Sequence, residues 1–573
     1  MKLTGAGILI ESLIEHGVDT IFGYPGGAVL NIYDELSRYR KRIRHILVSH
    51  EQHAAHAADG YARSTGKAGV CLATSGPGAT NLVTGIATAF ADSVPVVAVT
   101  GNASLSLLGK DSFQEVDIAG ITMPVVKHNW IVEDVNDIAE TVREAFIVAQ
   151  SGRPGPVLID IPRDVICAVC KTGIRNEADR SGECNNGDCQ AKSRAVRLSE
   201  RTKRKTFNDS GIDRAVSLIN KSRRPLIYAG GGVIRSGAGA QLVKLAEILG
   251  SPVALSLMGM GAIPADHPLC AGLTGMHGTA ASCKAVKNCD LLIALGARFS
   301  DRVTGGITGN DENQFAKNAK IIHIDIDPAE INKNKDCDEF ITGDIKAALD
   351  RLLKKLPPRN SPCWAEMTDE LKSGAVIQEN RKTTEFLHPR FIIRKTAQAL
   401  GENAVVVTDV GQHQIWTAQY YPFKNQRGFL SSGGMGTMGF GMGAACGAKT
   451  ANPGNPVVLF TGDGSFRMNC AEMATLVKYK LPVLIIVFNN RTLGMLRQWQ
   501  GIFYRKNYFE TSLENMGPDF VKLAGAYSVR GFRVTDEDSF LEALNNSVKI
   551  LALQKPALIE VIIDKDEKAE LGF

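Results

Sequence analysis

Short apolar runs of strand length alternate with helix-like stretches over nearly all of the 573 residues. That alternation is the mark of parallel strands joined by crossover helices, because a parallel pair cannot be closed by a tight turn. The runs fall into three groups: 46–49, 70–73, 94–100 and 157–161; 225–229, 253–257, 291–295 and 321–326; and 405–408, 457–460, 483–488 and 557–563. The expected fold class is therefore α/β, with three consecutive parallel-sheet domains. A chain of this length outgrows one hydrophobic core in any case. The domains read as 1–170, 211–356 and 370–565, with a polar, Cys-containing and basic linker at 171–210 and a polar tail at 566–573.

Composition excludes several classes. A net charge of +5 spread over this length calls for neither nucleic acid nor an acidic membrane as partner. No apolar run approaches the roughly 18–20 residues that cross a bilayer, and the first residues show no signal-peptide pattern. The 12 cysteines are scattered, several inside apolar runs, which fits reduced thiols in the cytoplasm.

The sharpest local signal lies in the third group. Run 457–460 leads into Thr461-Gly462-Asp463-Gly464-Ser465, and run 483–488 leads into Asn489-Asn490. Neighbouring parallel strands would deliver Asp463 and Asn490 to one carboxyl edge, where open α/β sheets bind ligands. Gly462 and Gly464 let backbone N–H groups approach a diphosphate, and the helix start that follows favours anionic oxygens. One carboxylate, one amide oxygen, diphosphate oxygens and water complete an octahedral Mg2+ shell. A Gly-Asp-Gly turn beside an unrelated Asn pair explains either half but not both.

Other features are ambiguous when read alone. Run 46–49 leads into His50-Glu51-Gln52 and a small-residue helix, where Glu51 reads as a carboxylate favoured by the helix dipole. Gly230-Gly231-Gly232 is either a loop that a dinucleotide approaches or a packing turn. Asp325 and Asp327 either meet a ribose hydroxyl or start a turn. Met438 and Met495 read as core fillers, Trp499 as an amphipathic helix residue and Arg163 as a solvated charge. Cys167-x2-Cys170 with Cys184-x4-Cys189 offers either a loose zinc site or reduced thiols in a loop.

The stretch from Gly462 to Asn490 matches the thiamine-diphosphate motif, and the chain at large resembles the acetolactate synthase family. The resemblance is carried by Tyr24-Pro25-Gly26-Gly27-Ala28, His50-Glu51-Gln52, Ser112-Phe113-Gln114-Glu115 and Lys127-His128-Asn129-Trp130. It continues through Gly152-Arg153-Pro154, Gly275-Met276-His277-Gly278, the stretch from Gly296 to Arg302, Gly411-Gln412-His413-Gln414, Gly436-Thr437-Met438-Gly439 and the stretch from Gly494 to Gln500. Matches run from about residue 3 to residue 565 with the linker excepted.

The resemblance implies roles residue by residue. Glu51 falls on the carboxylate that supports the imino tautomer of the cofactor. Gly27, Gln114 and Met438 stand with it as catalytic residues, Met438 propping the bent cofactor. Gly411, Gln412 and His413 would contact the diphosphate with Gly462, Gly464 and Ser465 nearby. Asp463, Asn490 and the carbonyl of Thr492 would hold Mg2+. Gln114, Arg163, Met495, Trp499 and Phe503 would line the approach of the second 2-oxo acid. FAD, structural rather than redox-active, would contact Arg153, Gly230, Gly231, Met276, His277, Gly278, Arg298 and Asp325.

The implied reaction decarboxylates pyruvate and transfers the two-carbon unit to pyruvate or 2-oxobutyrate, in branched-chain amino acid biosynthesis. The implied assembly is a homodimer or tetramer with active sites between subunits, joined by a small regulatory subunit. A pyruvate oxidase, a decarboxylase or a catabolic acetolactate synthase is the other reading of the same scaffold. The sequence departs from the family at Gly101-Asn102-Ala103-Ser104-Leu105, at Ser300 and at Gly441-Met442-Gly443-Ala444, none of which removes Glu51, Asp463 or Asn490.

Overall fold

The computed structural model describes residues 3–170, 194–203, 209–305, 315–357, 364 and 386–572. Most of the expected linker, with Cys184 and Cys189, lies outside the described residues. The described residues form three six-stranded sheets in which every strand pair is parallel. This is the α/β class that the alternating pattern predicts.

The chain divides into two compact units, residues 1–204 with 434–453 and 469–481, and residues 205–433 with 454–468 and 482–573. The sheet of the first unit contains β1 (Thr20–Gly23), β2 (Arg44–Leu47), β3 (Gly69–Ala73), β4 (Val96–Asn102), β5 (Asn129–Ile131) and β6 (Val157–Pro162). Their order is β2-β1-β3-β4-β6-β5. Val70, Leu72, Val97, Val99, Ile159 and Ile161 bury one face of the sheet against Leu9, Leu13, Val142 and Phe146.

The second unit holds two sheets. The first has β7 (Pro225–Ala229), β8 (Val253–Leu255), β9 (Cys270–Leu273), β10 (Leu291–Leu295), β11 (Lys320–Asp325) and β12 (Glu339–Thr342), ordered β12-β11-β10-β7-β8-β9. The other has β13 (Val405–Thr408), β14 (Phe429–Leu430), β15 (Val457–Gly462), β16 (Val483–Asn489), β17 (Arg530–Val534) and β18 (Ala557–Ile562), ordered β14-β13-β15-β16-β18-β17. One apolar cluster joins both sheets, from Ile227 and Ile293 through Trp416 to Phe460 and Ile486.

Each of the twelve expected runs overlaps a strand. Six strands, β1, β5, β9, β12, β14 and β17, carry no such run, and all but β1 are sheet edges. An edge strand is covered on fewer sides and has less need of a continuous apolar sequence. Residues 566–572, expected as a polar tail, are docked on the second unit. The Lys568 carbonyl accepts the Trp416 indole N–H at 3.2 Å, Ala569 exchanges two hydrogen bonds with the Gln498 amide, and Gly572 N–H donates to Met276. Amide and backbone contacts hold this segment, which an apolar pattern does not report. No described helix is long and apolar enough to cross a membrane. The nine described cysteines are free thiols.

Candidate active site

Parallel pairing brings the two halves of the thiamine motif to one edge. β15 and β16 are neighbours in a register that sets Gly462 opposite Phe488. Asp463 therefore leaves β15 beside the point where Asn490 leaves β16. Both are buried, as is Thr492. Asp463 opens the helix Asp463–Asn469, and its Oδ1 accepts the Gly464 N–H at 3.0 Å. Burial pushes its carboxyl up to about 7, against the pull of backbone N–H groups at Gly464 and Arg491. A divalent cation would favour the ionised form. Between Asn490 and Thr492, Arg491 takes a left-handed φ of 55°, and the Thr492 N–H returns to Asn490 Oδ1 at 3.2 Å. Strain of this kind concentrates at ligand-binding turns.

The helix Gln412–Tyr420 begins beside this edge, with Gly411 at φ 150° as its N-cap. A side chain on Gly411 or on Gly462 would press on the His413 ring, at 2.9 and 3.0 Å. The ring is fully buried and is pushed down to about 3 by that burial, so it is neutral, and its Nε2 has no partner among the described residues. Ser465 donates to the Val410 carbonyl. The Gln412 amide is committed to Gln498 and the Glu567 carbonyl, so what Gln412 offers an anion is its place at the helix start.

In the first unit, Glu51 is the first residue of the helix Glu51–Thr65, whose N-cap is His50. Its Oε2 accepts the Asn81 amide at 3.0 Å. Glycine is required where this helix crosses the helix Gly441–Ala451: a Cβ on Gly60 would overlap Ala444, and one on Gly447 would overlap Ala57. Met438 is half-buried between Gly436 (φ 67°) and Gly439 (φ 91°), and the adjacent Thr437 hydroxyl lies 2.7 Å from that of Thr88. Gln114 has a left-handed φ of 58° and packs on Gly76. Gly27 is exposed, with none of the described residues within 4 Å of where a Cβ would point, and Arg163 is exposed at the end of β6.

The acceptor candidates of the second unit share one helix, Gly494–Phe503. Met495 packs on the apolar core, and the Trp499 and Phe503 rings stack at 5.0 Å. Arg302 lies over Trp499, 5.7 Å from the ring centre. Arg302 closes one of the resembling stretches, yet no local pattern points to its place over Trp499. Asn81, Glu472 and the buried Asp160 likewise follow from no local pattern.

The residues assigned to a flavin divide. In the glycine loop, Gly230 and Gly232 lie so close to the Gly296 backbone that neither could carry a Cβ, and Gly231 abuts Met258. Asp325 and Asp327 each accept the backbone N–H two residues on, as turn-forming carboxylates do. Met276, His277 and Gly278 lie against the docked segment, with the Glu570 carbonyl 2.9 Å from His277 Nδ1. Asn334 donates to the Arg298 carbonyl. Arg153 belongs to the first unit, where its Nε donates to Ser93. Of the zinc alternative, Cys167 is exposed, and the buried Cys170 donates to Asn136.

The thiamine pyrophosphate enzyme family matches in three places: its N-terminal TPP binding domain at residues 3–121, its central domain at 212–352 and its C-terminal TPP binding domain at 409–561. A probable acetolactate synthase large subunit of Methanocaldococcus jannaschii is 46% identical over 574 residues, covering 99% of this chain and 93% of its own length. The acetolactate synthase of Mycobacterium leprae is 45% identical, covering 99% and 88%. The acetolactate synthase large subunit of Cyanidium caldarium is 44% identical, covering 98% and 94%. With its three domain matches and this near-complete coverage, the chain belongs to the acetolactate synthase large-subunit family of thiamine pyrophosphate enzymes.

Proposed function

We propose that the chain is the catalytic subunit of an acetolactate synthase, joining two 2-oxo acids with loss of CO2. Pyruvate is the donor, and pyruvate or 2-oxobutyrate the acceptor, giving 2-acetolactate or 2-aceto-2-hydroxybutyrate for branched-chain amino acid biosynthesis in the cytoplasm. The observation that supports this most directly is the pairing of β15 with β16, which sets Asp463 and Asn490 side by side.

The residues fit thiamine diphosphate: a buried ring nitrogen of His413 without a partner among the described residues, and two glycines beside it where a Cβ would crowd that ring. Asp463, Asn490 and the Thr492 carbonyl would hold Mg2+, while Gly411, Gln412, His413, Gly464 and Ser465 would face the diphosphate. When bound, the cofactor supplies an electron sink for the electrons released as CO2 leaves. Glu51 would exchange a proton with the aminopyrimidine, while the Asn81 amide donates to its Oε2. Met438 would orient the cofactor, Gln114, Arg163, Met495, Trp499 and Phe503 would receive the acceptor, and Gly27 stands with Glu51 as a catalytic residue.

FAD stands differently. The flavin rests on the resemblance of residues 276–278 and 298–302, and no step runs through it. The visible spectrum of the purified protein tests it. A homodimer or tetramer, in which Glu51 of one subunit serves the metal site of another, completes the reading, with a small regulatory subunit as partner.

The test is a competition between pyruvate and 2-oxobutyrate with added thiamine diphosphate and Mg2+, following both acetohydroxy acids. Acetolactate and acetohydroxybutyrate are expected. Acetaldehyde or acetyl phosphate in their place would assign the chain to a decarboxylase or an oxidase.

A further inference from the structure

The turn that carries Glu51 is held by a segment remote from it in sequence. Residues 469–481 lie in the chain between Asp463 and Asn490, and they pack within the first unit. Glu472 is fully buried there. Its Oε1 accepts the Ser49 N–H at 2.8 Å and lies 2.9 Å from His53 Nδ1, and its Oε2 accepts the Thr475 hydroxyl at 2.6 Å. Ser49 and His53 bracket Glu51, two residues to either side. Two further ties reach the same turn: Leu47 N–H donates to the Tyr479 hydroxyl at 2.8 Å, and the Ser49 hydroxyl donates to the Ala471 carbonyl at 3.0 Å.

A carboxylate removed from water is costly unless its oxygens are used, and here both are. Simple packing of a helix on a sheet does not ask for a buried charge. What this charge gathers is the pair of residues that flank the candidate proton-relay group. We propose that Glu472 is a positioning residue for Glu51, fixing the 47–53 turn through its acceptor geometry so that the Glu51 carboxyl is presented in one place. This rests on the reading of Glu51 as the proton-relay carboxylate.

The proposal distinguishes geometry from charge. Glutamine in place of Glu472 keeps an oxygen for Ser49 and His53, and its amide group would face the Thr475 hydroxyl. That hydroxyl can turn to donate to the Leu47 carbonyl, 3.3 Å away. Alanine keeps none of these contacts. Glu472→Gln therefore restores what Glu472→Ala loses.

The experiment measures exchange of the C2 hydrogen of thiamine diphosphate for deuterium by quenched NMR, on the full chain with Mg2+, beside cofactor affinity by calorimetry. Glu472→Ala is expected to slow exchange about thirtyfold or more, approaching Glu51→Gln, with the Kd for the cofactor changed less than about threefold. Glu472→Gln should recover most of that rate. Thr475→Val, which removes one anchor, should slow exchange several-fold at unchanged Kd, and it carries the test if the alanine variant does not fold. Wild-type exchange in Glu472→Ala or in Thr475→Val overturns the proposal, as does a loss of cofactor affinity equal to the loss of exchange. Wild-type exchange in Glu51→Gln instead removes the reading of Glu51 on which the proposal stands, whatever the Glu472 variants show.

Discussion

The Asn81 side-chain amide donates to Glu51 Oε2 at 3.0 Å, while Oε1 lies over Gly78, where a Cβ would stand 3.3 Å away. One oxygen is thus tied to the protein, and the other lies where a side chain at position 78 would crowd it. Glutamine at position 51 can still present its carbonyl oxygen to Asn81. Glu51→Gln should therefore keep its melting temperature within about 2 °C of wild type. Turnover should fall about a hundredfold or more, the usual worth of a positioned acid–base group. Steady-state kinetics beside a thermal melt read both quantities.

Removing the carboxylate from the metal edge should uncouple folding from the cation. Asparagine at position 463 can keep the hydrogen bond from Gly464 N–H while burying no charge. A ligand that binds only the folded state at a hundred times its Kd stabilises it by about 2.7 kcal/mol. Wild type should accordingly melt higher when Mg2+ and thiamine diphosphate are added together. Asp463→Asn should show no such rise and should be at least as stable as wild type without them. Thermal scans with and without EDTA check both halves.

The strands that proved legible in the sequence are mostly those that need apolar residues on both faces. β4, β10 and β16 are buried along their whole length, whereas β17 reads exposed, half-buried, half-buried, exposed and buried. β1 lies inside its sheet but spans only four residues, with Ile21 and Phe22 as its apolar content. Asp463 and Asn490 were legible because strand ends fix where side chains emerge. Asn81 and Glu472 were not, since their contacts join residues remote in sequence with no period to expose them. The only local sign of Glu472 is a charged residue inside a stretch of small and apolar ones.

Two glycine-to-alanine changes should behave in opposite ways. A Cβ on Gly447 would collide with the Ala57 carbonyl, where rigid backbone leaves nothing to yield. Gly447→Ala should cost about 2–3 kcal/mol, the upper range of overpacking, and disturb the helix that begins with Glu51. A Cβ on Gly27 would meet none of the described residues within 4 Å. Gly27→Ala should leave the melting temperature unchanged while altering the kinetics, as the role implied by resemblance requires. Equal thermal losses in the two variants would contradict this.

Stability should also carry the signature of Asp160. This residue is fully buried at the end of the first sheet, and its two oxygens accept the Thr100 hydroxyl and the Asn102 amide, each at 2.6 Å. Burial raises its carboxyl to about 6, the two hydrogen bonds pull the other way, and nearby Asp117 adds to the rise. The folded value lies above the unfolded one of about 3.9. Between them the folded protein keeps a proton that the unfolded chain has lost. The contribution is full below about pH 4 and is lost as pH rises through about 6, a fall on the order of 3 kcal/mol. Asp160→Asn lacks this titration, so it should gain on wild type in paired melts taken from pH 4.5 to 7.5.

Acceptor choice should depend on the wall built by Trp499. Its ring is stacked on Phe503 and covered by Arg302, so it is held in place and presents a fixed aromatic surface. 2-Oxobutyrate exceeds pyruvate by one methylene, and a methylene against such a surface is worth about 1–3 kcal/mol, or roughly 10–200-fold in discrimination. Trp499→Leu keeps an apolar side chain but removes the flat wall and the partner of Arg302. The ratio of acetohydroxybutyrate to acetolactate formed in competition should drop about tenfold or more, with the rate from pyruvate alone changed much less. A ratio that stays at the wild-type value would place the acceptor away from this helix.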